Sequence, residues 1–493
     1  MKKIQFLIIV LLVSGFHCCY GCFTIVAGRG ATQDSSVLVG HNEQNYDERN
    51  ITSFRYIPAM FHKRGTMVQL RNGGSLSEAA ATNGMLWLQN HGTVFGDSYF
   101  NEYGVAVVSN ACPSRLKDPD TLKALGYIKD GGINYMLRRL VAQRAKSARE
   151  GVEIMANLLK KFGYTSSGRT YTIADKNEAW LVSVVMGGHF VAQRVPDTGV
   201  VMLPNIFIIG SVDFKDSVNF IFSDSIVEFS IKMGLFQYKR NDSVFNFAEV
   251  FNREPRKGSF KRRHKVDYRQ WYAQQVILSR EVNKPDDKTL PFAVFPVKKT
   301  TIQDMLKILR SHNEGTRYDD TKGYMLGCPH FMRDQARDIC DGGTQACSIF
   351  QLRNWMPEEI GCLVWHCTTA PCTGVLTPWY AGISKTPECY YKPAEPEEAL
   401  ALDYQFGMPV KELRFNPDFA FDIFNELENL VSYDYPKALK DVRREWDALE
   451  QEQFAMQREV EEIALLMWGK SPKQSKKYIT DRKSTRLNSS HYS

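Results

Sequence analysis

An α+β fold, with sheets covered by helices in layers, is what this sequence predicts, on three observations. Short apolar runs open the chain and return as a three-member meander between 169 and 194. Between them, from Asn134 to Lys161, the apolar residues change to helical spacing. The stretch from 411 to 468 is helical again and heavily charged, which suits helices packed on sheets.

The elements follow in chain order. Lys2 and Lys3, the apolar run Ile4 to Phe16, and the small residues Cys19 and Gly21 read as a secretory signal peptide over 1–21, cut before Cys22. The run is shorter than the roughly 20 apolar residues of a membrane span, and Cys19 stands where a lipoprotein signal usually carries an aliphatic residue. Phe23 to Gly28 and Val37 to His41 are strands separated by the polar turn Thr32 to Ser36. Gly104 to Ser109 is a further buried strand. Leu137, Leu140 and Val141, then Val152, Met155, Leu158 and Leu159, form helical stripes. Ser147 with Glu150 makes a capping box that divides them into two helices, and Gly163 stops the second. Arg169 to Ala174, Ala179 to Val185 and His189 to Arg194 form the meander, and Asn219 to Gly234 reads as helix. Phe419, Ile423 and Phe424 lead into an amphipathic stretch from Lys437 to Met467. The stretch DRKSTRLNSSH near the end resembles a translated sequencing adapter, so 481–493 is set apart. The expected organisation is a main domain over 22–400, a helical region over 401–470 and a tail over 471–493.

Composition narrows the function. Apolar residues make up 43% and charged residues 24%, ordinary values for a globular protein. The formal net charge is +7, of which Lys2 and Lys3 supply +2. Arg482, Lys483 and Arg486 against Asp481 supply a net two more, leaving +3 for the body of the chain. That balance does not suggest a polyanion partner, and the KRRHK run at 261–265 reads as a solvated loop. No nucleic acid is expected as partner, and no stable membrane insertion once the signal is removed. The expected location is extracytoplasmic: periplasm, vesicle lumen or outside the cell. There the sequons at Asn50 and Asn241 matter only if the host glycosylates. The oligomeric state stays open, a homo-oligomer included.

Nine cysteines follow the signal, and seven of them, Cys328, Cys340, Cys347, Cys362, Cys367, Cys372 and Cys389, crowd into 328–389. In an exported protein this reads as a disulfide-stapled region. The odd count leaves one thiol over, so with Cys22 reserved the other eight, Cys112 among them, can pair. A zinc site built from Cys362, His366, Cys367 and Cys372 competes with this reading, but the spacing contains no C-x-x-C pair and disulfides are preferred. No metal or organic cofactor is expected.

Cleavage after Gly21 would put a thiol and a free α-amine on Cys22. An α-amine titrates near about 7.7–8.0 and a thiol near about 8.5, so the amine can take the thiol proton near neutral pH. One residue then serves as nucleophile and base, and the chemistry expected is acyl transfer through a thioester. From this cysteine onward, CFTIVAGRGATQDSSVLVGHNEQN resembles the opening of the dipeptidase A family, cysteine peptidases of the N-terminal-nucleophile clan related to secernins and to penicillin V and bile-salt acylases. The resemblance continues through FNEYGVAVVSNACPSR (100–115), GGINYMLRRLVAQRAKSAREGVEIMANLLKKFGY (131–164), GRTYTIADKNEAWLVSVV (168–185), VAQRVP (191–196), LPNIFIIG (203–210), EGTRYDDT (314–321), FQLRNWMP (350–357) and PWYAGI (378–383).

The resemblance implies a four-layer αββα sandwich with a helical C-terminal extension, and a dipeptidase acting on short peptides. It implies Cys22 as nucleophile, Asn101 as an oxyanion donor and Asn205 as the second asparagine of the site. Arg353 is a candidate clamp for the substrate carboxylate, because guanidinium binds carboxylate bidentately. Two motifs depart from the family pattern. R-N-x-D is here His41-Asn42-Glu43-Gln44, so Gln44 stands where an acid is expected and Glu43 or Asp47 would have to compensate. D-G-S is Asp34-Ser35-Ser36, which costs strain if position 35 needs a positive φ. An acylase for N-acyl substrates and a non-catalytic exported protein of the same fold are the alternative functions.

Overall fold

The computed structural model describes residues 21–45, 51–238, 244–253, 267–280, 290–316, 318–319, 321–322, 328–331 and 338–490. Residues 1–20 of the signal segment, Asp47, the KRRHK run, Asn50 and Asn241 lie outside the described residues.

Two antiparallel sheets face each other. The first runs in the order Ala293–Val294, Val200–Leu203, Phe23–Ala27, Val37–Gln44, Thr344–Leu352, Cys362–Thr368 and Thr377–Tyr380. The second runs in the order Phe220–Phe222, Phe190–Arg194, Ala179–Val185, Gly168–Ala174, Ala106–Ala111, Ser98–Asn101, Met85–Asn90 and Thr52–Ile57. Period-two alternation assigns the faces. Val108, Leu181 and Val191 belong to the core shared with the first sheet, where Phe100 meets Phe350 with ring centroids 5.5 Å apart. Val107, Ile173 and Val182 point the other way, onto Leu137, Leu140, Val152 and Met155 of the helices Met136–Arg144 and Ala148–Phe162. The helices Tyr268–Leu278 and Ile302–Leu309 cover the far face of the first sheet. Gly40 allows that approach, since a Cβ there would lie 2.9 Å from both Ile25 and Leu309. The layers are therefore α, β, β, α.

The helix pair is punctuated much as its residues dictate. Ser147 Oγ accepts the Glu150 N–H at 3.2 Å, while the Glu150 carboxylate accepts from Lys146 N at 2.7 Å, one residue earlier than a capping box would use. Gly163 closes the second helix at φ 72°. Ser35 sits at φ 57°, so its turn does require the left-handed region.

Two expectations are corrected. Asn219 to Gly234 is not one helix: Phe220–Phe222 pairs with Phe190–Arg194 as an edge strand, and only Ile226–Lys232 is helical. Ser225, at φ 58°, breaks the chain between them. The disulfide staple is also not seen among the described residues: Cys22, Cys112, Cys340, Cys347, Cys362, Cys367, Cys372 and Cys389 carry free thiols, and Cys328 packs against Val431 and Tyr435. Several of these sulfurs belong to ordinary strands, Cys347 lying opposite Cys367 in register.

The helix Tyr435–Trp468 is fastened by charge as much as by apolar contact. Glu450 accepts from Arg310 at 2.6 Å, from Arg443 at 3.2 Å and from Leu376 N at 2.8 Å. Glu461 holds Arg353. The helix Pro472–Ser490 follows, with Ile479 buried in the main core. Among the described residues no helix is long and apolar enough to cross a membrane.

Candidate active site

Cys22 leads into Phe23–Ala27, a strand hydrogen-bonded on both sides near the middle of the first sheet. Phe23 lies opposite Asn42, which brings Cys22 beside Glu43, and the thiol is 1% exposed. Along Val37–Gln44 the alternation sends His41 and Glu43 toward the second sheet and Asn42 and Gln44 toward the covering helix. Asn42 Nδ2 donates to Leu309 O and Ile339 O, each at 2.8 Å, and Gln44 Nε2 donates to Ile339 O at 2.8 Å and Thr344 Oγ1 at 3.0 Å.

A closed chain of hydrogen bonds surrounds the cysteine. Its thiol donates to Glu43 Oε1 at 3.2 Å, and Glu43 Oε2 is 3.1 Å from His41 Nε2. His41 Nδ1 is 2.8 Å from Thr24 Oγ1, which donates to Asn110 Oδ1 at 2.6 Å. Asn110 Nδ2 returns to Cys22 O at 2.9 Å and also reaches Leu203 O at 3.0 Å. Counting donors fixes the protons. Thr24 spends its single hydrogen on Asn110, so His41 Nδ1 must donate to Thr24. The contact between His41 Nε2 and Glu43 then needs one further proton, shared by the imidazole and the carboxylate. Asn45 Nδ2 supports Glu43 Oε1 at 3.1 Å.

Three arginines complete the surroundings. Arg269, fully buried, donates to Gly21 O and, at 3.4 Å, to Cys22 O. It is oriented by Asp267 at 3.0 and 3.1 Å and by Asn205 Oδ1 at 2.9 Å. Arg138 and Arg169 converge on Ser109 Oγ at 2.9 and 3.1 Å. Arg138 Nη2 and Arg169 Nε are buried without a hydrogen-bond partner. Burial, then the Glu43 charge, pushes the Cys22 thiol well above its ordinary range, and Arg169 only partly offsets this. With Gly21 still attached the thiol is held protonated, because the neighbouring nitrogen is an amide and accepts no proton.

The residues singled out from sequence fare unequally. Cys22 is at the centre of this network. Asn205 is one contact away, acting through Arg269, with its Nδ2 on Ala111 O at 3.0 Å. Asn101 is elsewhere: its Nδ2 is consumed by Ala142 O and Ala145 O at 2.8 and 2.7 Å, and its Oδ1 by the N–H groups of Tyr103 and Val105 at 3.0 Å each. It builds the turn before Ala106–Ala111, and the asparagine beside the cysteine is Asn110, nine residues on in the same segment. Arg353 is not free to clamp a carboxylate either. It lies beyond the opposite end of Thr344–Leu352, 3% exposed, paired with both oxygens of Glu461. Of the two acids weighed in place of Gln44, Glu43 faces the thiol, as an odd-numbered residue of this strand, and Asp47 lies outside the described residues. Arg138, Arg169 and Arg269 were not singled out, and only their burial together identifies them.

The chain matches the model of Peptidase family C69 over residues 21–403. It is 26% identical to a probable dipeptidase of Latilactobacillus sakei, over 75% of this chain and 76% of that one. It is also 26% identical to a probable dipeptidase B of Lactococcus lactis subsp. lactis, over 86% of this chain and 87% of that one. Among solved structures it is similar to a mutant conjugated bile acid hydrolase from Clostridium perfringens, at a TM-score of 0.35 and 12% identity, over 76% of this chain and 97% of that one.

Proposed function

The chain belongs to peptidase family C69, and on that footing we propose that it is an exported dipeptidase activated by exposure of Cys22. Removal of the segment ending at Gly21 turns the Cys22 nitrogen from an amide into an amine. The amine accepts the thiol proton, and the thiolate adds to the carbonyl carbon of a substrate peptide bond. The tetrahedral intermediate collapses to a thioester as the leaving amine takes the proton. Water then adds to the thioester, restoring the thiol and releasing the second amino acid.

One observation carries this reading: Cys22 is buried at the head of a central strand, 3.2 Å from a carboxylate in a closed network. Glu43 is placed to stabilise the protonated amine, and burial strengthens that attraction. Arg269 loses its Gly21 acceptor on cleavage and keeps its contact with the Cys22 carbonyl at 3.4 Å, a cationic donor next to the reacting residue and the kind of group that stabilises a developing oxyanion. Arg138 and Arg169, both buried next to the site with N–H groups to spare, suit the α-carboxylate of a short peptide. The role first considered for Arg353 thus falls to them.

The test begins with the intact mass and N-terminal sequence of the purified protein. A chain starting at Cys22, with a thiol that iodoacetamide alkylates, supports the proposal. Cys22→Ala is expected to abolish dipeptide hydrolysis, and Cys22→Ser to cut it by orders of magnitude. Cleavage of N-acyl amides with dipeptides left intact would move the assignment to an acylase. Full activity in Cys22→Ala would end it.

A further inference from the structure

We propose that His312, His330, Cys340 and Cys372 bind one structural zinc ion. These four buried side chains bring their ligand atoms within 4.8 Å of one another. They come from four segments: the loop after Ile302–Leu309, the turn Pro329–Phe331, the approach to Thr344–Leu352, and the loop between Cys362–Thr368 and Thr377–Tyr380. The spacings match a tetrahedron. Zinc–nitrogen bonds of about 2.0–2.1 Å and zinc–sulfur bonds of about 2.3 Å give edges of roughly 3.3 Å between nitrogens and roughly 3.6 Å between nitrogen and sulfur. Here the two Nε2 atoms are 3.3 Å apart, and His330 Nε2 is 3.4 Å from Cys372 Sγ and 3.9 Å from Cys340 Sγ.

A second observation points the same way. Each histidine turns its other nitrogen to a carboxylate: His330 Nδ1 is 2.8 Å from Glu428, and His312 Nδ1 is 3.3 Å from Glu314. Both Nδ1 atoms therefore donate, and in the neutral rings both Nε2 atoms carry lone pairs facing one another. Two lone pairs and two sulfurs converging in a buried space call for a cation at the centre. A carboxylate behind a ligand histidine is also the usual outer support of a zinc site. Two thiolates balance the charge of Zn²⁺, so binding releases two thiol protons.

Sulfur and imidazole in a tetrahedral set favour zinc over magnesium or calcium. Four protein ligands leave no open position, which makes the role structural. The ion would fix Cys340 and with it Ile339, whose carbonyl holds the amides of Asn42 and Gln44 on either side of Glu43. The set weighed from sequence shares only Cys372 with this one. Cys362 faces Arg353 O at 3.9 Å, and His366 stacks on Phe54 with centroids 4.1 Å apart.

The full-length protein, purified without chelator, is expected to contain about one zinc per chain by elemental mass spectrometry. Cys340→Ser and Cys372→Ser should each lose it, whereas Cys22→Ser should retain it, excluding the cluster of Cys22, His41 and Glu43 as the binding place. Should the serine variants at 340 and 372 fail to fold, cobalt exchange into the Cys22→Ser protein still decides. Thiolate-to-cobalt charge-transfer and tetrahedral d–d bands support the site. Reduced protein that takes up neither metal overturns the proposal, as does peptide mapping that finds a Cys340–Cys372 disulfide in the native protein.

Discussion

Replacing Arg353 with methionine separates two roles for this residue. As a substrate clamp, its loss would raise KM and leave stability alone. The structure requires the reverse. Its side chain is 4% exposed and that of Glu461 9%, and the guanidinium also donates to Gly361 O at 2.9 Å. Methionine fills much of the volume but strands Glu461 with only Tyr380 at 3.2 Å and Gln457 at 2.9 Å. Removing one partner of a buried pair costs about 3–5 kcal/mol. At roughly 2–4 °C per kcal/mol for larger domains, the melting temperature should fall by roughly 6–20 °C. The double variant Arg353→Met, Glu461→Leu should recover most of the loss, because it leaves no charge unpaired. Differential scanning fluorimetry of the four proteins, with dipeptide KM measured well below the transition, gives the cycle. A tenfold rise in KM with unchanged melting would refute the assignment.

Three further outcomes are expected. Asn110→Ala should reduce kcat by at least tenfold, whereas Asn101→Ala should lower stability by about 1–3 kcal/mol through its unsatisfied turn groups with kcat near that of the parent; steady-state kinetics and denaturant unfolding distinguish them. Ser35→Gly should stabilise the protein by about 1 kcal/mol, because glycine adopts φ 57° without strain; an unchanged unfolding midpoint counts against it. Burial, then the charges of Arg55 and Lys392, lowers His91 to about 3, so it stays neutral in the fold while the unfolded chain protonates below 6.5. Its contribution is complete above pH 6.5 and declines by about 1.4 kcal/mol per unit as the pH falls toward 3. His91→Gln should flatten that part of the stability profile, measured by urea unfolding from pH 7 to 4.

What could be read from sequence was whatever depends on local periodicity. The meander and the helix pair each announce themselves within 25–30 residues, and the structure reproduces them closely. Phe220 to Phe222 misled because three apolar residues before a helix continue its stripe, and only pairing with Phe190–Arg194 reveals a strand. The site was legible where it is local, at Cys22, whereas Glu43 was one of two candidate acids, because which way each side chain points depends on how the strand seats against its neighbours. Choosing between Asn101 and Asn110 was beyond it, since both occur in one segment and their roles follow from what packs opposite. Arg269 is out of reach of any spacing argument, separated from Cys22 by 247 residues. The cysteines misled for a related reason: the ligands His312 and His330 stand in separate loops, so no compact motif marks them.

The long helix at Tyr435–Trp468 has a bearing on how the chain must be made. Arg310 and Arg353 are placed in the interior by strands and loops formed much earlier, yet their counter-charges arrive only with Glu450 and Glu461. On a ribosome the catalytic layers would therefore wait, partly unneutralised, until nearly the whole polypeptide has emerged. A chain terminated ahead of Tyr435 would carry every residue of the reaction centre and still lack the two anions its interior was built around.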